Sequence, residues 1–383
     1  MKKKTPLIKN NICLEIDPSG CAKHVSNQVD YIKKQAALEN CPKKVLVLGG
    51  SGGYGLATKI AAAFAGRADV CSVSFEREPT ERRPGSPGYY TNRKFDELAE
   101  ADGLKSITVE GDAFTDETKA EVSKVMKESF GKADMIVYSL AAPMRTDPKT
   151  GILHKSTIKP IGEQHESETV ILGKDDVLKV VKIEKATDED IVNTVKVMGG
   201  EDWKLWIEYL LNEDLIEDNA VSVAFSYIGP IQTQAIYRTG ALGKAKEHLE
   251  ATAFEITKLL KPINGQAYVS VNKALVTRAS SVIPAMPIYI SALYDVMKEK
   301  GTHEDCIQQM YRMFQEKLYN KDNVVPVDIE NRIRLDDWEM EPDVQEKVKK
   351  IMDSMTSENF KEVLDLAGYK RDLYEIHGFA PED

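Results

Sequence analysis

Two tyrosines and a lysine in the stretch SYIGPIQTQAIYRTGALGKAK carry groups suited to proton chemistry: Tyr227, Tyr237 and Lys246. Tyr237 and Lys246 are nine positions apart, and a helix turning about 100° per residue would put them on opposite faces. Gly240 and Gly243 lie between them and favour a loop or a helix start over a helix interior. The spacing therefore predicts Tyr237 on a loop and Lys246 in the first turns of the following helix, with the loop folding back to bring phenol and ammonium together. A free tyrosine has a pKa near ~10, and a nearby ammonium favours the phenolate and strengthens the phenol as a donor. The same stretch also reads as a surface loop with a packed tyrosine and a solvated lysine. Spacing alone leaves both open.

Such a pair does chemistry only if a scaffold holds a reactant beside it, and the scaffold is legible upstream. Val45 to Leu48 form a short, wholly apolar run, as expected of a strand buried on both faces of a parallel sheet. Gly49, Gly53 and Gly55 follow as GxxxGxG and open the helical stretch LATKIAAAFAG. A strand, a glycine turn and a helix N-terminus make an anion cradle, in which backbone N–H groups and the helix dipole face a pyrophosphate. Side chains there would hold the phosphates away. The strand-before, helix-after context is what distinguishes this pattern from a chance run of glycines. A second strand, ADVCSVSF, ends at Phe75 and Glu76, where a carboxylate can accept from the adenosine ribose hydroxyls. That charge would repel a 2′-phosphate and favours NADH, although Arg77, Arg82 and Arg83 lie close enough in sequence to act the other way.

The alternation continues. KSITVEGDAF reads as a third strand ending in Asp112 and Ala113. An amphipathic helix with Thr115 as N-cap follows, then a fourth strand with Ser139, Leu140 and Ala141 at its carboxyl end. Ligands of an open parallel sheet bind beyond those carboxyl ends, so Asp112 can meet the adenine and Leu140 and Ala141 can lie under the cofactor. Each of these ends also reads as an ordinary strand-to-helix turn.

Residues 145–185 loosen into an insertion with a small hairpin. A helical stretch with Thr187 as its cap breaks at Gly199 and Gly200. NAVSVAFSYIG is a fifth strand, which puts Tyr227 on the cofactor edge. GQAYVSVNKALV is a sixth, ending in Thr277. The apolar helix after it, with Ile283, Met286, Ile288 and Leu293, is either core or the wall of an acyl pocket. From His303 the chain reads as helical to about Tyr319, then charged and loop-rich. The fold class is α/β: a Rossmann-type doubly wound parallel sheet with helical and hairpin additions forming a substrate-binding lobe. The divisions fall at 1–80 for an NAD-binding segment, 81–320 for a catalytic segment and 321–383 for a C-terminal segment, within one continuous globule.

Bulk properties narrow the setting. The 383 residues are 42% hydrophobic, enough for a large core, and the net charge of −10 speaks against nucleic acid or an anionic membrane as partner. Five scattered cysteines show no CxxC and six dispersed histidines no metal set, so no metal is expected and reduced cytoplasmic thiols are. The basic N-terminus lacks the apolar run of a signal peptide. The longest uncharged run, 279–294, contains Pro284 and Pro287 and falls short of a membrane span.

Taken together, these features resemble an extended short-chain dehydrogenase. The usual members carry Tyr-x3-Lys, the common enoyl reductases Tyr-x6-Lys, and this chain Tyr-x8-Lys. That interval, with the phrases SYIGP, VKVMGGEDW, VYSLAAP, GKAKEHLEATA and SVNKALVTRAS, is similar to the trans-2-enoyl-CoA reductases and the type V enoyl-acyl-carrier-protein reductases. The resemblance runs from NNICLEIDPSGC to AGYKRDLYEIHGF, and members usually continue somewhat past the HGF phrase. It implies NADH-dependent reduction of a trans-2-enoyl thioester, on coenzyme A or an acyl carrier protein, by a monomer with Tyr237 as proton donor. It implies NAD contacts at Gly49, Gly50, Ser51, Gly52, Gly53, Tyr54, Phe75, Glu76, Asp112, Ala113, Leu140, Ala141, Lys246, Leu275, Val276 and Thr277, and a substrate contact at Tyr227. The family's C-terminal section has been labelled flavin-binding. No flavin motif is visible here, and flavin is not expected. A ketone or alcohol dehydrogenase using the same pair, and a non-catalytic dinucleotide sensor, remain as alternative functions.

Overall fold

The computed structural model describes residues 6–379. The basic N-terminal residues 1–5 and the tail 380–383 lie outside that range.

Strand β1 (Lys44–Leu48) shows why this sequence makes a two-sided sheet. Val45 and Val47 join one core cluster and Leu46 and Leu48 another, all at 1% exposure or less. Successive side chains of a strand leave opposite faces, so a run apolar at every position must be covered twice. Helices α1 (Pro18–Lys33) and α2 (Gly53–Phe64) help to cover one face. Beside β1 lie β2 (Asp69–Ser74) and, beyond helix α3 (Pro87–Ala101), β3 (Ser106–Glu110). Helix α4 (Asp116–Val125) starts at Thr115, whose hydroxyl accepts from Thr118 N, as expected. Strand β4 (Ala133–Tyr138) then pairs with the other side of β1.

The insertion holds an antiparallel hairpin, β5 (His165–Ile171) with β6 (Val177–Ile183), where the loosened pattern placed one. Helices α5 (Asp188–Met198) and α6 (Glu201–Asn212) are separated at the Gly199–Gly200 pair, and Thr187 and Asp190 close a capping box on α5. Strand β7 (Ile216–Ser226), helix α7 (Ala241–Leu260) and strand β8 (Gln266–Val271) complete the second half of the sheet.

Three departures from the sequence reading have physical causes. Strand β8 ends at Val271, not Thr277: Asn272 N still donates to Ser226 O, after which the chain turns away and Leu275, Val276 and Thr277 lie on a loop. The stretch HVSNQVDYIKKQAALEN reads as helical over 24–40, whereas helix α1 begins at Pro18, because Asp17 caps it and proline suits a first turn. The charged C-terminal stretch is not mainly loop. After helices α8 (Met286–Lys300) and α9 (Cys306–Arg312) it supplies a seventh strand, β9 (Arg332–Arg334), and helices α10 (Pro342–Ser354) and α11 (Leu366–Glu375). β9 has three residues, Arg-Ile-Arg, too short a run to read as a strand. It is held by pairing with β8 and by ion pairs of Arg332 and Arg334 with Asp328 and Asp336.

The order across the parallel sheet is β9-β8-β7-β4-β1-β2-β3. It reverses direction between β1 and β4, and the crevice beyond the carboxyl ends at such a point is where α/β sheets bind ligands. Leu48 lies opposite Tyr138 at that point, and Ser226 lies opposite Val271 at the ends of β7 and β8. A third core cluster joins the hairpin, α8, α10 and α11 to the loops beyond this edge. The described ends of the chain also meet, since Asp17 N donates to His377 O at 3.0 Å.

Candidate active site

The glycine turn sits at the crevice. Gly49 has φ +92°, and a Cβ there would come within 2.3 Å of Ser139 O. One on Gly55 would come within 2.0 Å of Gly49 O. These glycines let strand, helix and neighbouring turn close up. Gly52 differs: nothing lies within 4 Å of its would-be Cβ, so the turn opens onto space at the N-terminus of α2. That is the concavity an anion needs. Ser51 and Tyr54 are spoken for by the protein, Ser51 Oγ donating to Glu76 Oε1 at 2.7 Å and Tyr54 OH to Lys273 O at 2.6 Å.

Glu76 stands just past β2, with its carboxylate held by Ser51 and by Arg278, whose Nη1 is 3.0 Å away. Phe75 beside it is 80% exposed, an aromatic face left to a ligand. Asp112 Oδ1 accepts from Phe114 N, and the Ala113 carbonyl accepts from the buried Trp206 indole at 2.9 Å, which fixes the turn beyond β3. Leu140 and Ala141 follow Ser139, whose N–H donates to Leu48 O and binds that loop to β1. At the ends of β7 and β8, Ser226 Oγ and Asn272 Nδ2 are buried without a hydrogen-bond partner among the described residues. An open glycine cradle, an acid past β2 and orphaned polar atoms at the strand ends fit a dinucleotide.

Tyr237 lies on a turn before α7, as its spacing suggests, with its N–H donating to Thr233 O at 3.1 Å. Its ring packs edge-on against Tyr227, with 4.8 Å between centroids at 76°. The hydroxyl has no hydrogen-bond partner among the described residues and is left for a ligand. Burial pushes the phenol above its ordinary pKa, and the Glu339 carboxylate adds to that. The expected acidifying pull of the Lys246 ammonium does not figure among the influences on this phenol, which are burial and the Glu339 carboxylate. The group stays neutral, the form a proton donor needs.

Lys246 is in the second turn of α7, its Nζ 3.4 Å from Phe225 O at the end of β7. Burial lowers its pKa to about 8, with Glu250 opposing. The helix thus presents a half-buried ammonium at the Phe225 carbonyl, two residues from Tyr227, at the strand end that also carries Ser226. Leu275 and Val276 pack with Tyr237 and Ile288 in the third cluster, and Thr277 faces Gly53.

Sequence reasoning missed Arg278, which links the loop after β8 to Glu76, and Glu339, a fully buried acid beyond β9. Arg278 stood in a recognised phrase and had a signal. Glu339 sits in a run of acids and had none. No His/Cys/Asp/Glu group that could hold a metal occurs among the described residues, and no helix there is long and apolar enough to cross a membrane.

Residues 83–319 match the family described as trans-2-enoyl-CoA reductase catalytic region, and residues 3–81 the NAD(P)H binding domain of trans-2-enoyl-CoA reductase. Residues 327–383 match the enoyl reductase FAD binding domain. That stretch does not fit a flavin here. Its two glycines, Gly368 and Gly378, are packed against Asp365 and Asp17 rather than opening a cradle. A trans-2-enoyl-CoA reductase (NADH) of Treponema denticola is 52% identical over 384 residues, spanning 98% of this chain and 96% of the relative. An NADH-dependent enoyl-acyl-carrier-protein reductase of Flavobacterium johnsoniae is 49% identical, spanning 98% and 94%. The crystal structure of the Clostridium acetobutulicum trans-2-enoyl-CoA reductase in complex with NADH superposes with a TM-score of 0.95 at 45% identity, covering 98% of this chain and 94% of that one.

Proposed function

The chain belongs to the trans-2-enoyl-CoA reductase family, and from that premise we propose that it reduces the C2=C3 bond of trans-2-enoyl thioesters with NADH. The observation that carries the reading is the pair of phenols, Tyr237 against Tyr227, beyond the strand ends that flank the open glycine cradle. Gly49 to Tyr54, Phe75, Glu76, Asp112, Ala113, Leu140, Ala141, Lys246 and Leu275 to Thr277 hold the dinucleotide. When bound, it supplies a hydride from C4 of the nicotinamide to C3 of the thioester. Tyr237 donates to the thioester oxygen as charge gathers there, and the proton taken up at C2 is drawn through this hydroxyl. Lys246 holds the nicotinamide ribose. Tyr227 holds the thioester carbonyl. Coenzyme A and acyl carrier protein present the same thioester, and both carriers belong in the assay. The five free cysteines support a cytoplasmic setting.

Incubation of the protein and NADH with crotonyl-CoA tests the reading, with acetoacetyl-CoA as the control for carbonyl reduction. NADH should be consumed with the first. Consumption only with the second would make this a carbonyl reductase, and with neither a binding protein.

Two further results are expected. Glu76→Gln removes the charge that repels a 2′-phosphate and releases Arg278 to meet one, so the NADPH-to-NADH ratio of kcat/KM should rise roughly tenfold or more. A wild type that already used both cofactors would move suspicion to Arg77, Arg82 and Arg83. At the other end of the site, Ile288 is 1% exposed and packs in the cluster that includes Tyr237. Ile288→Trp should lower kcat/KM for long enoyl chains about tenfold more than for crotonyl-CoA. Equal losses for short and long chains would make α8 plain core.

A further inference from the structure

Glu339 stands on the turn between β9 and α10, 0% exposed. The turn is stiffened on both sides: Arg334 pairs with Asp336, Arg312 pairs with Asp337, and the Arg312 guanidinium lies 4.1 Å over the Trp338 ring. A buried carboxylate usually has a cation beside it. This one takes its hydrogen bonds from two phenols and an amide, with Lys273 as the nearby cation. Oε2 accepts from Ala274 N at 2.7 Å, and Oε1 accepts from Tyr289 OH at 2.6 Å and from Tyr227 OH at 3.3 Å. Gln345 Nε2 in turn donates to the Tyr289 oxygen at 3.1 Å, which directs the Tyr289 proton to Glu339.

A tyrosine hydroxyl has one proton to give. With Glu339 ionised, Tyr227 gives it to the carboxylate. With a proton on Oε1, Tyr289 still donates to that oxygen, while Oε1–H donates to the Tyr227 oxygen and leaves the Tyr227 proton free. We propose that Glu339 is a positioning residue for the reduction: in its protonated form it turns Tyr227 into a donor toward the thioester carbonyl. The inference rests on the role proposed for Tyr227.

Burial lowers the pKa of Lys273 and raises that of Asp336 among the six titratable groups that face Glu339. They are Tyr227 at the end of β7, Tyr237 before α7, Tyr289 on α8, Tyr54 on α2, Lys273 after β8 and Asp336 on its own turn. Burial holds all four phenols above their ordinary range, so they stay neutral. Burial raises Glu339 to about 7, against the lowering effects of the Tyr289 and Ala274 hydrogen bonds and of Lys273. The proton is therefore present below that pH and lost above it.

The test compares kcat/KM for crotonyl-CoA at saturating NADH between pH 6 and 8 in wild type, Glu339→Gln and Tyr227→Phe. Loss of one required proton with a midpoint of about 7 should by itself lower the wild-type value about tenfold across that range, on top of the shallower fall from Lys246. The new amide in Glu339→Gln donates to Tyr227 at every pH, so its profile should keep only the shallower fall that Lys246 imposes near the upper end. Tyr227→Phe, lacking the hydroxyl through which Glu339 acts, should lose the same limb, while the Kd for NADH is unchanged in both variants. A Glu339→Gln profile parallel to wild type, or a wild-type limb retained in Tyr227→Phe, overturns the inference alone. Absence of crotonyl-CoA reduction by the wild type at every pH overturns the functional reading and the inference with it.

Discussion

Tyr237→Phe should bind NADH as the wild type does and turn over crotonyl-CoA roughly 10² to 10³ times more slowly, the usual loss when one oxyanion donor is removed. The substitution deletes only an oxygen. The ring is 93% buried and packs edge-on against Tyr227, and a phenylalanine keeps that packing. The hydroxyl makes no hydrogen bond within the described residues, so its removal breaks none and the thermal midpoint should hardly move. The loss should fall on kcat, because the donor is needed where charge develops and not where the cofactor binds. Stopped-flow reduction and NADH fluorescence titration separate the two quantities. Near-normal turnover with the same Kd would remove Tyr237 from the chemistry.

Lys246→Met should damage two quantities at once. The ammonium is assigned to the nicotinamide ribose and to the polarity around Tyr237, so the Kd for NADH should rise about tenfold and kcat should fall by at least as much. The folded protein, by contrast, should tolerate the change. Burial lowers Lys246 to about 8, below the 10.5 of a free lysine, so the fold disfavours the charged form and is least stable where that form dominates, at lower pH. An apolar side chain of similar length removes that penalty, and the thermal midpoint at pH 7 should be equal or higher. The wild-type affinity for NADH should weaken as pH rises through about 8, as the ammonium is lost, and the methionine variant should show no such step. A fall in kcat with an unchanged Kd would reduce Lys246 to an electrostatic role.

Much of this site was legible because its signals are local. Val45 to Leu48 followed by Gly49, Gly53 and Gly55 announces a strand, a turn and a helix, and each glycine is there for a reason of space or of φ. Thr115 and Thr187 mark helix starts by side-chain chemistry that acts over three residues. The Tyr237 loop and the Lys246 helix followed from two glycines. What escaped is non-local. β9 is three residues long, with arginines on either side of its one isoleucine, and becomes a strand because β8 offers an edge and nearby carboxylates offer partners. Glu339 meets Tyr227 across 112 positions, and no periodicity or spacing points from one to the other. Arg278 and Glu76 are separated by 202. The end of β8 was overrun because Ala274 to Val276 is an apolar run like a strand's, yet its path is set by Glu339 and Tyr294 taking its N–H groups.

The late arrival of β9 and Glu339 has a consequence for how the enzyme comes into being on the ribosome. The glycine cradle, Tyr237, Lys246 and then β8 all emerge before residues 332–339, which leaves β8 as the rim of an unfinished sheet with its outer N–H and C=O groups unpaired. Until residues 332–339 follow, Tyr227 lacks its carboxylate partner and the rim is open to another chain, the kind of exposed edge on which nascent proteins aggregate. The first helix waits longer still, because the backbone contact that seals Asp17 comes from His377. A chain stopped before residue 332 would therefore carry nearly every proposed site residue on a sheet whose β8 edge is still unpaired.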